Sequence, residues 1–544
     1  MITAFRLPHS LFSILILLIV AGCGGGGSSA PPPPPPPPVD TTAPSVSAVQ
    51  APATNVNRTV SLTVTATDSV GVTTVRFYVD GTLLGSDTTS PYSIDWDTSG
   101  EAEGDHTLTA EAEDAAGNIG TSAASTVTVQ NVQVFSLTAT GIEEVPATDS
   151  QATAQADLTV NIATGAVQGT LTTTGITATG AHIHDAYAGT NGPVLIGLDQ
   201  DAGDPALFTV PAGASMDAAG VDRLLAGALY VNVHSAAAPA GEIRGQILPD
   251  GFVLRFSELT GSESVPQVNS VAGGRAAITL DQTSGTISIH AQATNIDDAT
   301  QAHLHQAFAG ATGPVLVALT VDMADAGHWF VEGAVLDAAG LDAFNSGQLY
   351  VNIHSPAYPT GEIRGQVVPE GIEVMIAELS GEQEVPRLAT MADGVASLTL
   401  DEAGSMLTVH VNTSGLDDAS ASHLHNAFGG TNGPIEFGLT QDGSNPAHWF
   451  AEQQSLDAAQ LAAVIAGSTY INVHTPANPG GEIRGQVIPE GIVFATGSLG
   501  GEQQYPVVDT PAGGTYAVTA NTAAGTVVAH VNTNGVDDAT AAHI

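Results

Sequence analysis

The stretch Val395-Ala-Ser-Leu-Thr-Leu400 alternates apolar and other residues, and it is followed by the turn Asp401-Glu-Ala-Gly404 and by a second alternating run. In that second run the apolar residues Leu407, Val409 and Val411 lie two positions apart. A period of two places every second side chain on one face, which is the pattern of a half-buried β-strand. Two such runs joined by a short turn predict a β-hairpin.

The region around this hairpin is one copy of a repeat. The block Gly241-Glu-Ile-Arg-Gly-Gln246 recurs unchanged from Gly361 and from Gly481, each time 120 residues further on. Such a period predicts tandem domains. Because each repeat is long enough to bury its own core, we expect the repeats to behave as independent beads. The proline that ends the tripeptide Glu144-Val-Pro146 recurs with the same period, at Pro266, Pro386 and Pro506.

The rest of each repeat is mostly strand, with one short helix predicted over residues 217–226 and in the copies that start at Asp337 and Asp457. We therefore predict an all-β protein of tandem immunoglobulin-like, β-sandwich or barrel domains, with one short helix in each repeat. The predicted boundaries are 1–23 for a signal segment, 24–40 for a tether, 41–130 for an immunoglobulin-like domain, 132–250, 251–370 and 371–490 for three complete repeats, and 491–544 for a truncated fourth.

The N-terminal segment has the features of an export signal. Arg6 precedes an apolar run over residues 11–21 that is too short to span a bilayer. The segment ends in Val20-Ala-Gly-Cys23, which resembles the lipobox of bacterial lipoproteins and implies lipidation at Cys23. Gly24 after the cysteine implies the outer membrane, and the Gly-, Ser- and Pro-rich residues up to 40 predict an extended tether. We expect an exported outer-membrane or cell-surface lipoprotein that contacts the membrane through its lipid only.

The composition excludes some functions. Ten arginines and no lysine stand against 55 acidic residues, which gives a formal charge of −45. Such a chain repels nucleic acid and attracts cations, and the same charge is typical of a secreted protein adapted to a saline medium. Cys23 is the only cysteine, so no disulfide can form within one molecule.

Residues 41–130 have their own pattern. The run Val75-Arg-Phe-Tyr-Val79 is followed by Asp80-Gly81, which is a strong hairpin signal. Together with Asp114-Ala-Ala-Gly-Asn118, this stretch resembles the bacterial immunoglobulin-like domains of surface and adhesion proteins. The acidic residues of such a domain suit Ca²⁺ at a domain edge, although carboxylates that are simply solvated in loops would give the same pattern.

Three sets of residues keep their places in every complete repeat. They are the His-x-His of Ala181-His-Ile-His184, the stretch Tyr230-Val-Asn-Val-His234, and the Gly-Glu-Ile-Arg-Gly-Gln block. With Glu144-Val-Pro146 and Asn191-Gly-Pro-Val194, this order resembles the CHRD domain, which was first named in chordin and is also found in bacterial secreted proteins. The resemblance implies an extracellular binding or scaffold role. Several similar domains in one chain further favour adhesion to a repetitive but unknown protein or polysaccharide ligand, because they gain avidity.

The histidines of these sets suggest a metal site. Residues two apart on a strand share a face, so His182 and His184 lie side by side, as do Asn232 and His234. If the two strands are neighbours, three imidazoles meet, and three neutral imidazoles without a thiolate suit Cu²⁺ or Zn²⁺. The candidate ligands are His182, His184, His234, His303, His305, His354, His423, His425 and His474.

The same histidines would also fit a hydrogen-bonded packing cluster or an acid–base role, and both alternatives stay open. The pattern further resembles the copper site of Cu/Zn superoxide dismutases, but we find no second zinc-binding histidine cluster in the sequence and no disulfide cysteines. Nor does the sequence contain a nucleophile elbow, a phosphate loop or a dinucleotide fingerprint. We therefore expect a binding protein, with metal sequestration as the alternative and a copper dismutase-like enzyme as the third.

The Gly-Glu-Ile-Arg-Gly-Gln block places a glutamate and an arginine on one strand face. Three of the ten arginines fall in this block, so we predict a structural ion pair that closes each sandwich. The alternative is an anion-binding arginine beside the histidines. The predicted pairs are Glu242 with Arg244, Glu362 with Arg364, and Glu482 with Arg484.

Five further histidines have no counterpart in the first repeat, where Thr170 and Leu207 occupy their positions. We predict that they are surface or packing residues. The fourth repeat stops at Ile544, in the middle of a motif that the others complete, so we expect a longer protein. The five are His290, His328, His410, His448 and His530.

Overall fold

The structure is a computed structural model, and it describes residues 39–536 and 538–543. The predicted signal segment with Cys23, and the tether up to residue 38, lie outside the described residues. Among the residues that are described, no helix is long and apolar enough to cross a membrane. The chain divides into two compact units, one reaching Trp96 and including Gly104–Thr128, the other containing Asp97–Glu103 and everything from Val129 onward.

The first unit is built from strands, as predicted. Its main sheet has the order β2-β10-β8-β5-β6, with β9 beside β8, while β3 pairs with β7 and β1 with β4. The predicted hairpin is confirmed, because Asp80 and Gly81 join β5 to β6 with φ angles of 48° and 78°. The strands are β1 Ser45–Val46, β2 Asn55–Val56, β3 Thr59–Val64, β4 Ala66–Thr67, β5 Val72–Val79, β6 Thr82–Asp87, β7 Tyr92–Asp97, β8 Gly104–Asp114, β9 Ile119–Thr121 and β10 Ser125–Val129.

The first repeat is a closed barrel with the strand order β11-β12-β13-β16-β15-β14-β17-β18. Its strands are β11 Val132–Thr140, β12 Thr153–Asn161, β13 Val167–Thr174, β14 Ala178–Asp185, β15 Val194–Gln200, β16 Leu207–Thr209, β17 Leu229–Ser235 and β18 Ile243–Ile247. A short 3-10 turn, Gly141–Glu143, follows the first strand. The barrel interior is filled by apolar residues such as Leu171, Ile183 and Val231, all of which are buried.

The second repeat is a closed barrel with the same strand order. Its strands are β19 Phe252–Thr260, β20 Gly273–Asp281, β21 Thr286–Thr294, β22 Gln301–Gln306, β23 Val315–Val321, β24 His328–Val335, β25 Leu349–His354 and β26 Ile363–Val367.

In the third repeat the strand that corresponds to β15 is split in two, so the sheet has nine strands with open ends. These are β27 Ile372–Ser380, β28 Asp393–Asp401, β29 Met406–Ser414, β30 Ala421–Asn426, β31 Ile435–Gly438, β32 Thr440–Gln441, β33 His448–Ser455, β34 Thr469–His474 and β35 Ile483–Gln486. The described part of the fourth repeat forms the sheet β36 Ile492–Gly500, β37 Gly513–Asn521 and β38 Thr526–Asn534.

One helix lies in each complete repeat, as predicted. The helices are α1 Ala218–Leu225, α2 Ala338–Asn345 and α3 Ala458–Ile465. The Asp217 side chain caps α1 by accepting a hydrogen bond from the Gly220 amide at 2.8 Å. After the helix, Gly227 adopts a φ of 71°, which a residue with a side chain rarely does.

The hairpin predicted from residues 395–411 is also confirmed. It is formed by β28 and β29, in which Leu398 lies opposite Val409 and Leu400 opposite Leu407 in the core. The other face of this hairpin is buried as well, since Ser397 and His410 are less than a tenth exposed. The preceding repeat covers that face.

The repeats therefore contact one another, and the expectation of independent beads is wrong. Between the second and third repeats, the Asn412 side-chain amide donates to the carbonyl of Gly310 at 2.8 Å. Asn532 makes the same bond to Gly430 at 2.7 Å in the next junction. The repeats are in contact because a surface loop of one repeat packs onto the outer face of a hairpin in the next repeat.

Candidate metal centre

The predicted histidines lie on the outer face of the sheet in each complete repeat. In the first repeat β14 pairs with β17, so that His182 lies opposite Asn232 and His184 opposite Tyr230. The residues between them, such as Ile183 and Val233, point into the core. Because side chains alternate along a strand, both histidines and the polar residues of β17 share the opposite, outward face.

Three imidazoles meet on this face, as predicted from the alternation of side chains along the strands. The Nδ1 atom of His182 lies 2.9 Å from Nε2 of His234. The ring centre of His184 is 5.6 Å from that of His182 and 6.0 Å from that of His234. One ring nitrogen from each of the three histidines lies within 4.8 Å of the others. Two ligands of a tetrahedral ion with bonds of about 2.0 Å lie about 3.3 Å apart, so the nitrogens would move closer together by up to about 1.5 Å around one ion.

The same cluster is present in all three complete repeats. In the second repeat Nδ1 of His303 lies 3.2 Å from Nε2 of His354, and in the third the ring centres of His423 and His474 are 4.9 Å apart. The candidate ligand atoms of each cluster again lie within 4.8 Å of one another. The clusters are His182, His184 and His234; His303, His305 and His354; and His423, His425 and His474.

Backbone carbonyls fix the orientation of two histidines in each cluster. The Nδ1 atom of His184 donates to the carbonyl of Gly192 at 3.0 Å, and Nδ1 of His234 donates to that of Pro239 at 3.2 Å. A carbonyl can only accept, so Nδ1 carries the proton and Nε2 keeps its lone pair. This arrangement is the one that metal-bound histidines commonly show.

Each cluster contains at least one buried ring nitrogen without a hydrogen bond, and in the third repeat Nδ1 of His423 and Nε2 of His474 are unpaired as well. A bond between His182 and His234 can satisfy those two rings without a metal. It does not satisfy Nε2 of His184, which has no hydrogen-bond partner although its residue is only 8% exposed. The corresponding atoms of His305 and His425 are in the same situation. An unpaired buried acceptor is costly, and a metal ion would remove that cost.

The electrostatics keep these histidines neutral. Burial lowers the pKa of each of the nine imidazoles, and in His474 it acts with the nearby His423 and His425 to lower the pKa to about 4. A neutral imidazole is the form that binds a metal ion. The clusters are therefore in the binding-competent protonation state at neutral pH.

A buried arginine supports the cluster through a stack of rings. The guanidinium of Arg244 lies 3.5 Å from the ring centre of Tyr230, and the ring of Tyr230 stacks on His184 with 4.9 Å between centres. Arg244 also donates to the carbonyls of Tyr187 and Thr190, both at 2.8 Å. These two carbonyls belong to residues 186–193, which we call the anchor loop. The same loop supplies the Gly192 carbonyl that fixes His184.

The predicted ion pair between Glu242 and Arg244 is wrong. The carboxylate of Glu242 accepts instead from the hydroxyls of Ser150 and Ser235, while Arg244 donates to the anchor loop and to Gln246. The two residues share a strand face but are not partners, because serine hydroxyls bind Glu242 and carbonyls of the anchor loop bind Arg244. The corresponding predictions for Glu362 with Arg364 and for Glu482 with Arg484 fail in the same way.

A buried carboxyl lies beside the cluster strand in two repeats. Glu144 accepts from the side-chain amide of Asn232 at 3.4 Å, and burial raises the pKa of Glu144 to about 7. Glu384 in the third repeat has the same raised pKa, also about 7, for the same reason. In the second repeat Ser264 takes this position and donates to the carbonyl of Glu362. A repeat thus folds with either glutamate or serine at the first position of this tripeptide.

Two supporting residues had no assigned role in the sequence prediction. Tyr230 provides the ring between His184 and Arg244, and Gly192 allows the anchor loop to approach β14. A Cβ atom on Gly192 would lie only 1.9 Å from the carbonyl oxygen of Asp185. The sequence feature that could have identified this glycine is the recurrence of Gly-Pro from residues 192, 313 and 433.

The first unit contains a separate acidic cluster. Carboxylate oxygens of Asp40, Asp68 and Asp114 lie within 4.8 Å of one another. Asp114 already accepts from the side-chain amide of Asn118 at 2.7 Å and from the amides of Ala116 and Asn118, each at 2.8 Å. These bonds account for Asp114 without an ion, and calcium at this place stays a prediction.

Comparison with known proteins agrees with this architecture. The CHRD domain profile matches residues 135–247, 255–367 and 375–487, which together are more than half of the chain. The bacterial Ig domain profile matches residues 42–110. Chordin from Xenopus laevis is 29% identical over 257 residues, covering 42% of this chain. The match spans 26% of the length of chordin, about a quarter of that protein.

Two solved structures show only weak overall similarity. Fibronectin(III)-like modules of Clostridium thermocellum CbhA are 28% identical, over 15% of this chain and 93% of theirs, with a TM-score of 0.14. SGBP-B from the Bacteroides ovatus mixed-linkage glucan utilization locus is 11% identical, over 82% of this chain and 99% of its own, with a TM-score of 0.13. Both TM-scores are too low to relate either structure to the fold or the function of this chain.

The domain matches show a multidomain chain. The chain belongs to the CHRD domain family, with three CHRD domains in tandem after a bacterial Ig domain.

Proposed function

We propose that each complete CHRD repeat binds one Cu²⁺ or Zn²⁺ ion through its three histidines. The observation that carries this proposal is the cluster itself, which recurs in three repeats with the ligand atoms within 4.8 Å. Nitrogen donors without thiolates suit these two ions, and water or a side-chain oxygen can fill a fourth position. The fixed tautomers and the unpaired Nε2 of His184 support the same assignment.

The protein that carries these sites is proposed to be an exported binding protein. The predicted lipobox at Cys23 favours a lipid anchor in the outer membrane or at the cell surface. Several similar domains in one chain favour a repetitive extracellular ligand, protein or polysaccharide, because linked weak sites gain avidity. Under this proposal the metal ions are structural or stored parts of the binding domains.

Replacing one histidine set removes one ion. We expect this chain, loaded with Zn²⁺ and then dialysed, to keep close to one ion for each of its three complete repeats. The triple substitution His423→Ala, His425→Ala and His474→Ala should lower that content by one ion, because the third repeat loses all its nitrogen ligands. Elemental analysis gives the content directly. The control is His106→Ala in the immunoglobulin-like unit, which should lose none. Equal metal content in the triple variant and the wild type would refute the proposal.

A further inference from the structure

The anchor loop contacts the next repeat as well as the metal cluster. Its copies are residues 307–314 in the second repeat and 427–434 in the third. In the second repeat the Gly313 carbonyl accepts from Nδ1 of His305 at 3.0 Å, and Arg364 donates to the carbonyls of Phe308 and Ala311. These bonds hold the loop to its own cluster.

The other side of the same loop lies against the following barrel. The Gly310 carbonyl accepts from Asn412, and a Cβ atom on Gly310 would lie 2.8 Å from Cβ of Ser397 and 3.0 Å from Cβ of His410. The ring of Phe308 faces His410 with 6.4 Å between centres. A glycine is therefore required where the loop meets the next repeat.

The other junctions repeat this arrangement. Gly189 of the first repeat fits against Ala277 and His290, and the ring of Tyr187 stacks on His290 at 5.5 Å. Gly430 of the third repeat lies against His530 and accepts a hydrogen bond from Asn532. One loop in each complete repeat thus contacts both the cluster and the junction.

We call His290, His410 and His530, against which the glycine of the preceding anchor loop packs, the junction histidines. In the second and third repeats a neighbouring histidine holds the junction histidine in place. His328 donates from Nδ1 to Asp322 at 3.2 Å, and its Nε2 lies 3.1 Å from Nδ1 of His290. His410, His448 and Asp442 form the same chain in the third repeat. Each of the repeats that follow another repeat has this histidine, whereas the first repeat has Thr170 in its place. The histidine is therefore present in the repeats onto which the anchor loop of a preceding repeat docks.

We propose that the anchor loop is a docking surface for a following CHRD repeat with a junction histidine, and that docking strengthens metal binding in the loop's own repeat. This inference rests on the proposed metal site. The docked repeat holds the loop in the position from which its Gly-Pro carbonyl fixes the liganding histidine. Linkage is reciprocal, so an ion in one repeat also strengthens the junction with the next.

The coupling can be measured at one site in this chain. Alanine in place of His182, His184 and His234, and of His423, His425 and His474, removes the first and third clusters and leaves the second repeat as the single site. In this background Asn412→Ala removes the bond from the third repeat to Gly310 and contacts none of the ligands. We expect the Zn²⁺ affinity to fall by about 2- to 30-fold, the usual range for such indirect couplings. Isothermal titration with Zn²⁺ alone provides the readout.

The matched control is Asn532→Ala, which removes the same kind of bond at the next junction. It should leave the affinity of the second repeat unchanged. If both variants bind Zn²⁺ as tightly as the single-site parent, docking and metal binding are independent and the inference is overturned. If the parent and the wild type bind no Zn²⁺, the proposed metal site itself fails. Hydrogen exchange in β29 adds a second readout, since Zn²⁺ should slow exchange there if the coupling exists.

Discussion

Arg364→Ala is expected to destabilise the second repeat by about 3 kcal/mol or more. The Arg364 side chain is almost fully buried, stacks on Tyr350 at 3.6 Å, and donates to two anchor-loop carbonyls and to Gln366. Truncation leaves these acceptors buried and unpaired, which costs about 1–3 kcal/mol for each one. It also removes the packing of the guanidinium on the ring.

Hydrogen exchange measured by mass spectrometry can locate this loss. Peptides from β22, β25 and β26 should exchange faster in Arg364→Ala, while peptides from the first unit should not change. Arg387→Ala is the matched control, because Arg387 is a partly exposed arginine paired with Glu382 at 3.1 Å. Its loss should cost about 1 kcal/mol or less. Similar exchange in the two variants would show that the buried arginine does not hold the anchor loop.

Metal loading is expected to stabilise the three complete repeats strongly. A ligand that binds only the folded state adds about 4 kcal/mol at a free concentration 1,000 times its Kd. Zn²⁺ should therefore slow hydrogen exchange in β14, β22 and β30 and in the strands that pair with them. Peptides from β5 and β8 of the first unit serve as the internal control. Equal protection with and without Zn²⁺ in the three repeats would contradict the site.

The same stabilisation should depend on pH in a defined direction. Burial lowers the pKa of the cluster histidines, to about 4 for His474, whereas an unfolded histidine titrates near 6.5. His474 stays neutral as the pH falls to 6, so the extra stability that Zn²⁺ gives the third repeat should persist there. That extra stability should fall as the pH drops through about 4, because protons then compete for the Nε2 atom of His474.

Much of the fold was predictable because it depends on local patterns. Alternation in residues 395–411 defined a hairpin, and an aspartate before and a glycine after a short apolar segment defined each helix. The cluster was predictable on one condition, that the His-x-His strand is a neighbour of the strand with the later histidine. The pairing of β14 with β17 meets that condition.

The partners of Arg244 could not be read from spacing. Two of them are carbonyls of a loop more than 50 residues away in the sequence, and the closed barrel brings that loop to Arg244. The prediction of independent repeats was wrong for a similar reason. A residue such as His410 looked like a surface or packing residue, and its burial depends on a glycine loop of the preceding repeat. Spacing alone does not place a loop against a distant strand.

The most direct measurement is X-ray absorption spectroscopy of this chain loaded with Zn²⁺ or Cu²⁺ and dialysed. A chain with a formal charge of −45 can also collect cations on its carboxylates, and this method recognises imidazole ligands by multiple scattering from their ring atoms, which carboxylate and water ligands do not give. We predict about three imidazole nitrogens around each ion at about 2.0 Å. Ions surrounded by oxygen alone, without imidazole scattering, would contradict the proposal that the CHRD repeats hold metal through their histidines.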